Sequence, residues 1–354
     1  MLRFVGVTKQ YLYGARLFGA LDLTVADGEI IAIYGGDGAG KTSFLKTAAG
    51  AEECEGEVLL DGKKVGGRTD DVIMVFEDGA VFKWRTAFDN LAYPLKLRGT
   101  DKVEIASRVL AAAEKTGIGG VCLNLRARSL STAERRRMSL ARLFLRDAKL
   151  LVIDEPTAGL SRKEAESLWS DVAPLLKEKA AQGVTVIYST SSREEALSIC
   201  DRLVVLHNGE VKQIASVPEI LRDPENVWAA QAVDGNYNYE KCLLSDENGK
   251  LNVTFGNGKQ ISAEVFRGKI AEGYVGKEVL CGWYPTKSAT ACGSAREGFS
   301  ERVVYSVADR YGRTLTTKSG LRTRSDADAE TADAYPCEDG FALFDATNEN
   351  SITK

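Results

Sequence analysis

An α/β fold followed by a small all-β domain is the fold class that the sequence predicts, from three observations. Strand-like and helix-like segments alternate over residues 1–235, as they do in a parallel α/β core. A short apolar run at residues 29–34 leads into a glycine-rich loop and then into a helical pattern. Beyond about residue 238, short apolar runs separated by turn residues replace the helices.

The loop after the first apolar run has the spacing of a phosphate-binding loop, or P-loop. Its residues are Gly35, Gly36, Asp37, Gly38, Ala39, Gly40, Lys41 and Thr42, with Ser43 next. Glycines let backbone N–H groups converge on phosphate oxygens, while Lys41 binds the β- and γ-phosphates and Thr42 ligates Mg²⁺. Asp37 is unusual here, because its carboxylate must point away from the phosphates or weaken binding.

A second hydrophobic run, residues 150–153, ends in the carboxylates Asp154 and Glu155. A buried strand with this ending supports the nucleotide site, since Asp154 holds Mg²⁺ directly or through water. Glu155 polarises the attacking water. The sequence therefore predicts ATP and Mg²⁺ as the ligands of the first domain.

Local signals predict further elements. Residues 101–116 predict an amphipathic helix, with Asp101 as its N-cap and Gly117 after its end. Turn residues at 246–249 and 256–258 predict hairpins. The following apolar runs predict further strands: residues 278–283 and 341–344.

Composition and charge exclude several classes. Hydrophobic residues are 44% and charged residues 27% of 354, as in soluble globular proteins, and the net charge of -4 gives no basic field for nucleic acid. The arginines at 135–137 predict the solvated or phosphate-facing side of one helix. No segment approaches the roughly 18–20 apolar residues of a membrane-spanning helix, so a membrane role requires partners.

The seven scattered cysteines include no CxxC pair, which predicts free thiols in a reducing cytosol and argues against a metal site. The single histidine, His207, lies in a turn-like segment and is not expected to be catalytic.

These motifs, in this order, resemble the ATPase subunits of ATP-binding cassette (ABC) transporters along the whole chain. The resemblance implies an aromatic ring stacked on adenine; Tyr11 fits this register and Tyr13 is the alternative, while an ordinary edge-strand aromatic is the competing interpretation. Residues 86–92 resemble the family's TVxENIA stretch, where a coupling helix of the membrane subunit docks. Phe82 and Trp84 belong either to that groove or to the core.

Residues 276–285 resemble the G-x-x-V-x-x-G-I-R-P stretch of the regulatory domain in carbohydrate importers of the maltose/glycerol-phosphate type. We therefore predict an ATP-binding cassette domain over residues 1–238, with a helical subdomain at about 78–148. A β-rich, barrel-like (OB-like) regulatory domain follows over 239–354. Uptake of a sugar, oligosaccharide or polyol is favoured, and a polyamine, iron or other small-solute importer is the alternative.

Four family motifs are altered. Glu77 replaces the family glutamine, and a carboxylate still ligates Mg²⁺ but does not donate a hydrogen bond while ionised. Ser191 stands at the switch histidine and Ser161 at the D-loop aspartate. The signature LSGGQ aligns with Leu130, Ser131, Thr132, Ala133 and Glu134.

The altered signature keeps helix-start chemistry while it changes nucleotide chemistry. Ser131 retains its hydroxyl, Thr132 and Ala133 add bulk where backbone approach to phosphate is needed, and Glu134 adds a negative charge. Serines at 131, 161 and 192 are each followed three residues later by glutamate, which predicts three capping boxes.

The resemblance implies a peripheral subunit on the cytoplasmic face of the membrane, with slow or absent ATP hydrolysis by this chain alone. The implied partners are a second, more conventional ABC ATPase subunit, two transmembrane permease subunits and, indirectly, a solute-binding protein, with no nucleic acid. A non-hydrolysing ATP-binding scaffold and an ATPase of translation or DNA repair are the competing functions.

Overall fold

The computed structural model describes residues 1–10, 16–66, 70–271, 273–285, 301–309, 312–317, 321–325, 331–332, 335–336 and 341–353. Two compact units divide the chain, Met1–Val217 and Pro218–Lys354. The domain boundary at residue 238 stays a prediction. Among the described residues, no helix combines the length and the apolar character needed to cross a membrane.

The first unit holds two sheets and seven helices among its described residues. Its strands are β1 (Leu2–Gln10), β2 (Arg16–Val25), β3 (Ile30–Tyr34), β4 (Glu55–Leu60), β5 (Lys63–Lys64), β6 (Val72–Val75), β7 (Leu150–Ile153), β8 (Thr185–Thr190), β9 (Arg202–His207) and β10 (Glu210–Ala215). Its helices are α1 (Lys41–Ala48), α2 (Ala87–Lys96), α3 (Lys102–Lys115), α4 (Gly120–Leu123), α5 (Thr132–Ala141), α6 (Arg162–Ala181) and α7 (Arg193–Ile199). The helix α8 (Val217–Arg222) begins at the last residue of this unit.

A parallel sheet forms the centre of the first unit. Its strand order is β10-β9-β3-β8-β7-β6, and only the β9–β10 pair is antiparallel. Buried strands of this kind carry near-continuous apolar runs, as β3 and β7 do here. The second sheet is antiparallel, in the order β2-β1-β4-β5.

A separate hydrophobic cluster joins the helices between β6 and β7. Leu91 of α2, Val109 of α3 and Met138 of α5 are buried together in it. The helix predicted at 101–116 is confirmed as α3: the Asp101 carboxylate accepts from the Val103 N–H at 2.8 Å, and Gly117 follows with φ 69°.

The second unit continues with α9 (Val227–Val233) and strands. The strands are β11 (Asn238–Glu247), β12 (Lys250–Phe255), β13 (Gln260–Ser262), β14 (Glu278–Trp283), β15 (Glu301–Asp309), β16 (Gly312–Thr317), β17 (Arg322–Ser325), β18 (Thr331–Ala332) and β19 (Ala342–Asp345). Their sheet orders are β13-β12-β11-β14-β19 and β17-β16-β15-β18. The predicted hairpins and the strands at 278–283 and 341–344 are confirmed, whereas barrel-like closure stays a prediction.

The packing around Gly282 of β14 explains why one position of the 276–285 stretch is a glycine. An added Cβ would lie 2.6 Å from the Tyr237 hydroxyl oxygen and 2.8 Å from the Phe344 ring. Both side chains are buried, so neither has room to move away. The position therefore requires the absence of a side chain.

We expect Gly282→Ala to lower the free energy of unfolding by about 1–3 kcal/mol, because the methyl group overpacks this core. Gly256→Ala is the matched control, since an added Cβ there meets no atom within 4 Å. Urea denaturation of the full chain measures both variants. Equal stabilities of the two variants would contradict the packing argument.

Candidate functional site: a phosphate-binding cleft

The glycine loop lies between β3 and α1, where the parallel strands end at their carboxyl edge. Gly40 has φ 100°, which favours glycine because a side chain is strained there. At Gly35 an added Cβ would lie 2.5 Å from the Leu206 carbonyl oxygen. Close packing against β9 and the left-handed turn thus explain two of the loop glycines.

The Lys41 amine is held by the loop and by Glu155. Its Nζ donates to the carbonyl oxygens of Gly35 at 2.7 Å and Gly36 at 3.1 Å, and lies 2.9 Å from Glu155 Oε1. The two side chains are 7% and 12% exposed. Such a buried cation needs a negative partner, and Glu155 supplies it.

The carboxylate of Asp154 is positioned by Ser189, a residue that was not among the predicted site residues. The Ser189 hydroxyl donates to Asp154 Oδ1 at 2.7 Å and accepts from the Glu155 N–H at 3.0 Å. Ser189 is fully buried. Its sequence signal was a polar residue near the end of the apolar strand β8, and the pairing of Ile153 with Tyr188 makes Asp154 its neighbour.

Glu155 combines an unusual backbone with two hydrogen bonds from Ser191. Its φ is 43°, in the left-handed region that non-glycine residues seldom adopt. Its Oε2 accepts from the Ser191 N–H at 3.3 Å and from the Ser191 hydroxyl at 3.4 Å. Ser191 therefore lies beside the carboxylate that the sequence predicts as the catalytic base.

Most of the predicted site residues line one cleft of about 670 Å³. The predicted residues along its wall are Asp37, Gly38, Ala39, Gly40, Lys41, Thr42, Ser43, Glu77, Glu155 and Ser191. An adjoining cleft of about 750 Å³ shares Thr42 and Glu77 with it and adds Asp154 and Thr132. Ser131, Ala133 and Glu134 do not line either cleft.

The residues predicted to hold Mg²⁺ meet in the second cleft. Thr42, Asp154 and Glu77 all line it, and they supply a hydroxyl and two carboxylates. Hard oxygen donors of this kind suit Mg²⁺, which proteins bind through one or two carboxylates together with substrate phosphates. The donor set therefore fits Mg²⁺ held jointly with a nucleotide.

At the altered signature, the structure confirms the capping box that begins α5. Glu134 Oε2 accepts from the Ser131 N–H at 2.7 Å, and the Ser131 hydroxyl accepts from the Glu134 N–H at 3.2 Å. Glu134 Oε1 also accepts from the Cys122 thiol at 3.1 Å. The Ser131 N–H and then the Cys122 thiol lower the pKa of Glu134, so its charge is stabilised within this chain.

The capping box at Ser161 and Glu164 is also confirmed, but the third is wrong. Ser192 caps α7 by accepting from the Glu195 N–H at 3.3 Å, yet the Glu195 carboxylate turns inward. It accepts from the hydroxyls of Thr157 and Thr190. Burial raises the pKa of Glu195. The hydroxyls of Thr157 and Thr190 replace the Ser192 N–H as its partners, and that N–H donates instead to the Thr190 hydroxyl at 3.0 Å.

The sequence predicts that the arginines at 135–137 form the solvated or phosphate-facing side of one helix, and the structure places them on α5. Arg136 is 9% exposed and lines the second cleft, while Arg137 bonds Asp171 and the Thr116 carbonyl oxygen. The solvated alternative is therefore wrong for Arg136, and its place in the cleft agrees with the phosphate-facing alternative.

The aromatic predictions have different outcomes. Tyr11 and Tyr13 lie outside the described residues. Phe82 is 43% and Trp84 71% exposed, so the interpretation of these two as core residues is wrong. Arg128 stacks on Trp84 at 4.3 Å from the ring centre.

We expect Ser189→Ala to lower the free energy of unfolding by about 1–3 kcal/mol, because the buried Glu155 N–H loses its acceptor. Ser170→Ala is the control, since this exposed serine on α6 bonds only within its own helix. Urea denaturation of the full chain checks both. A Ser189→Ala variant as stable as the control would contradict this role for the hydroxyl.

Sequence comparisons agree with this geometry. The ABC transporter family matches residues 18–158. An uncharacterized ABC transporter ATP-binding protein of Bacillus subtilis, YurJ, is 32% identical over 290 residues, which are 80% of this chain and 78% of the relative. The oligosaccharides import ATP-binding protein MsmX of the same organism is 34% identical over 272 residues, 75% and 72% of the two chains.

A third relative, the sn-glycerol-3-phosphate import ATP-binding protein UgpC of Bordetella pertussis, is 34% identical over 233 residues, 65% of this chain and 63% of its own. Among solved structures, the dimeric ATP-binding cassette MJ0796 bound to ADP and Pi superposes with a TM-score of 0.55 at 24% identity, covering 61% of this chain and 98% of that one. At this identity the superposition shows a shared fold. The identity to YurJ over four-fifths of the sequence shows the family: the chain belongs to the ATP-binding proteins of ABC transporters.

Proposed function

We propose that this chain is the ATP-binding subunit of an ABC importer that couples ATP binding and hydrolysis to uptake of a sugar, oligosaccharide or polyol. The observation that carries the proposal is the meeting of Lys41, Thr42, Asp154 and Glu155 at one pair of adjoining clefts. Relatives named for oligosaccharide and glycerol-phosphate import favour this substrate class.

Each site residue has a role in this proposal. The Lys41 amine binds the β- and γ-phosphates, and Glu155, released from Lys41, orients the attacking water. Thr42, Asp154 and Glu77 hold Mg²⁺. When bound, Mg²⁺ neutralises charge that develops on the phosphates. Tyr11 stacks on the adenine ring.

The altered signature supports pairing with a different, more conventional ABC ATPase subunit. A signature helix binds phosphate through free N–H groups at its start. Here the Glu134 carboxylate already accepts from the Ser131 N–H, and Thr132 and Ala133 carry side chains where the family has glycines. Loss of one transition-state donor typically costs roughly 10²–10³ in rate, so hydrolysis by this chain alone is slow or absent.

The proposed assembly contains two transmembrane permease subunits and receives its substrate from a solute-binding protein. The exposed rings of Phe82 and Trp84, with Arg85 5.2 Å from the Phe82 ring centre, support a docking surface for a permease subunit. The chain then lies on the cytoplasmic face of the membrane as a peripheral subunit. Residues 239–354 form the barrel-like regulatory domain.

Lys41→Ala is expected to weaken binding of a non-hydrolysable ATP analogue by at least about tenfold, because the phosphates lose their buried cation. Glu155→Gln is expected to retain binding and to lower the ATPase rate of the purified complex. Lys63→Ala, on the exposed strand β5, is the control. If the Glu155→Gln variant left the ATPase rate of the complex unchanged, the nucleotide site of this chain would not hydrolyse ATP, and the chain would be a non-hydrolysing scaffold.

Native mass spectrometry of the complex, purified through a tag on this chain from its own host, tests the mixed pair. We expect one copy of this chain, one different ABC ATPase subunit and two membrane subunits. Two copies of this chain would contradict the mixed pair but keep the importer. Absence of membrane subunits would overturn the importer itself.

A further inference from the structure

Arg136 is a buried arginine that joins three segments of the site. It lies on α5, two residues after Glu134 of the altered signature. Its Nη1 donates to the Glu77 carbonyl oxygen, and its Nη2 donates to the Ala158 carbonyl oxygen at 2.9 Å. The planar guanidinium suits this bridge, because its donors lie in a fixed fork. One side chain therefore connects α5 to the segments that follow β6 and β7.

Among the residues that the structure describes, the two clefts carry more carboxylates than cations. Their acidic lining residues are Asp37, Glu77, Asp78, Asp154 and Glu155. Their basic lining residues are Lys41, Lys46 and Arg136. Lys41 is paired with Glu155, and Lys46 lies 3.0 Å from Glu52, which lines neither cleft.

Of the three basic lining residues, Arg136 is therefore the one left to offset the charges of the other carboxylates in the clefts. Burial lowers its pKa, while the charges of Glu77, Glu155, Asp154 and Asp78, in that order, act to raise it. Glu77 is foremost among them, and it is the carboxylate that replaces the family glutamine. An arginine stays protonated in proteins, so this positive charge is permanent.

The carboxylates that line the clefts repel an entering triphosphate unless a cation offsets their negative charge. Asp37, Glu77 and Asp78 are exposed, so water screens part of this repulsion, whereas Asp154 and Glu155 are buried and their charges are screened less. The Glu77 carboxylate adds a negative charge beside the expected position of the phosphates. Arg136 lines the same cleft as Glu77, Thr42 and Asp154.

We propose that Arg136 is a positioning residue of the nucleotide site, which offsets the charge of Glu77 and ties its loop to α5 and to the segment of Ala158. The inference rests on the proposed nucleotide binding and deepens it. It predicts that the need for Arg136 depends on the charge at position 77. It also predicts that Mg²⁺ partly substitutes for Arg136, because both offset the same carboxylates.

The test is a double-mutant cycle on the full chain, with the Kd of a non-hydrolysable ATP analogue measured with and without Mg²⁺. Arg136→Gln is expected to raise the Kd about tenfold in the absence of Mg²⁺ and less in its presence. In the Glu77→Gln background the same change is expected to raise the Kd by less than about threefold. Glu77→Gln alone is expected to tighten Mg²⁺-free binding by about threefold.

Arg137→Gln is the matched control, since Arg137 is the next residue on α5, is mostly buried and also donates to a carbonyl, that of Thr116 at 2.8 Å. It faces Asp171 instead of the cleft and is expected to leave the Kd unchanged. If the Arg136→Gln variant does not fold, the Glu77→Gln variant decides the question. A Kd of this variant for the ATP analogue without Mg²⁺ that is no lower than the wild-type Kd overturns the inference.

The outcomes separate the inference from the proposed function. An Arg136→Gln effect equal in both backgrounds, or equal with and without Mg²⁺, would show a purely structural arginine and overturn the inference alone. A wild-type chain that binds no nucleotide would overturn both. Coupling between positions 77 and 136 would support both.

Discussion

The parallel pairing of β3, β8 and β7 is the constraint on which the site depends. Tyr34 pairs with Thr190, and Ile153 pairs with Tyr188, so the three strands end at one edge of the sheet. Segments far apart in sequence meet there, because parallel strands leave their carboxyl ends side by side. The ion pair between Lys41 and Glu155 follows directly from this register.

Features that depend on neighbours in sequence were predictable. The left-handed turn at Gly40, the helix α3 with its Asp101 cap and the hairpin turn at Asn248 all rest on local backbone chemistry. The capping boxes at Ser131 and Ser161 are equally local, since serine and glutamate lie three residues apart. For these elements the residue types and their spacing are sufficient.

Features that depend on tertiary neighbours were not predictable. Ser189 acts on Asp154 from another strand, and Arg136 of α5 reaches Glu77 and Ala158, which follow β6 and β7. Neither position has a motif, because the contact arises only when the sheet and α5 come together. Glu195 shows the same limit: local spacing predicts a cap, but buried hydroxyls compete for its carboxylate and prevail.

The buried carboxyl of Glu195 has a consequence for proton linkage. Because burial raises its pKa, the folded chain keeps a proton that the unfolded chain releases once the pH passes the ordinary glutamate value. The contribution of this group to stability therefore falls as the pH rises through that window and is fully retained below it. Its oxygens accept from the hydroxyls of Thr157, after β7, and Thr190, at the end of β8 beside Ser191, so the proton that the folded chain keeps lies on a group that joins these two segments.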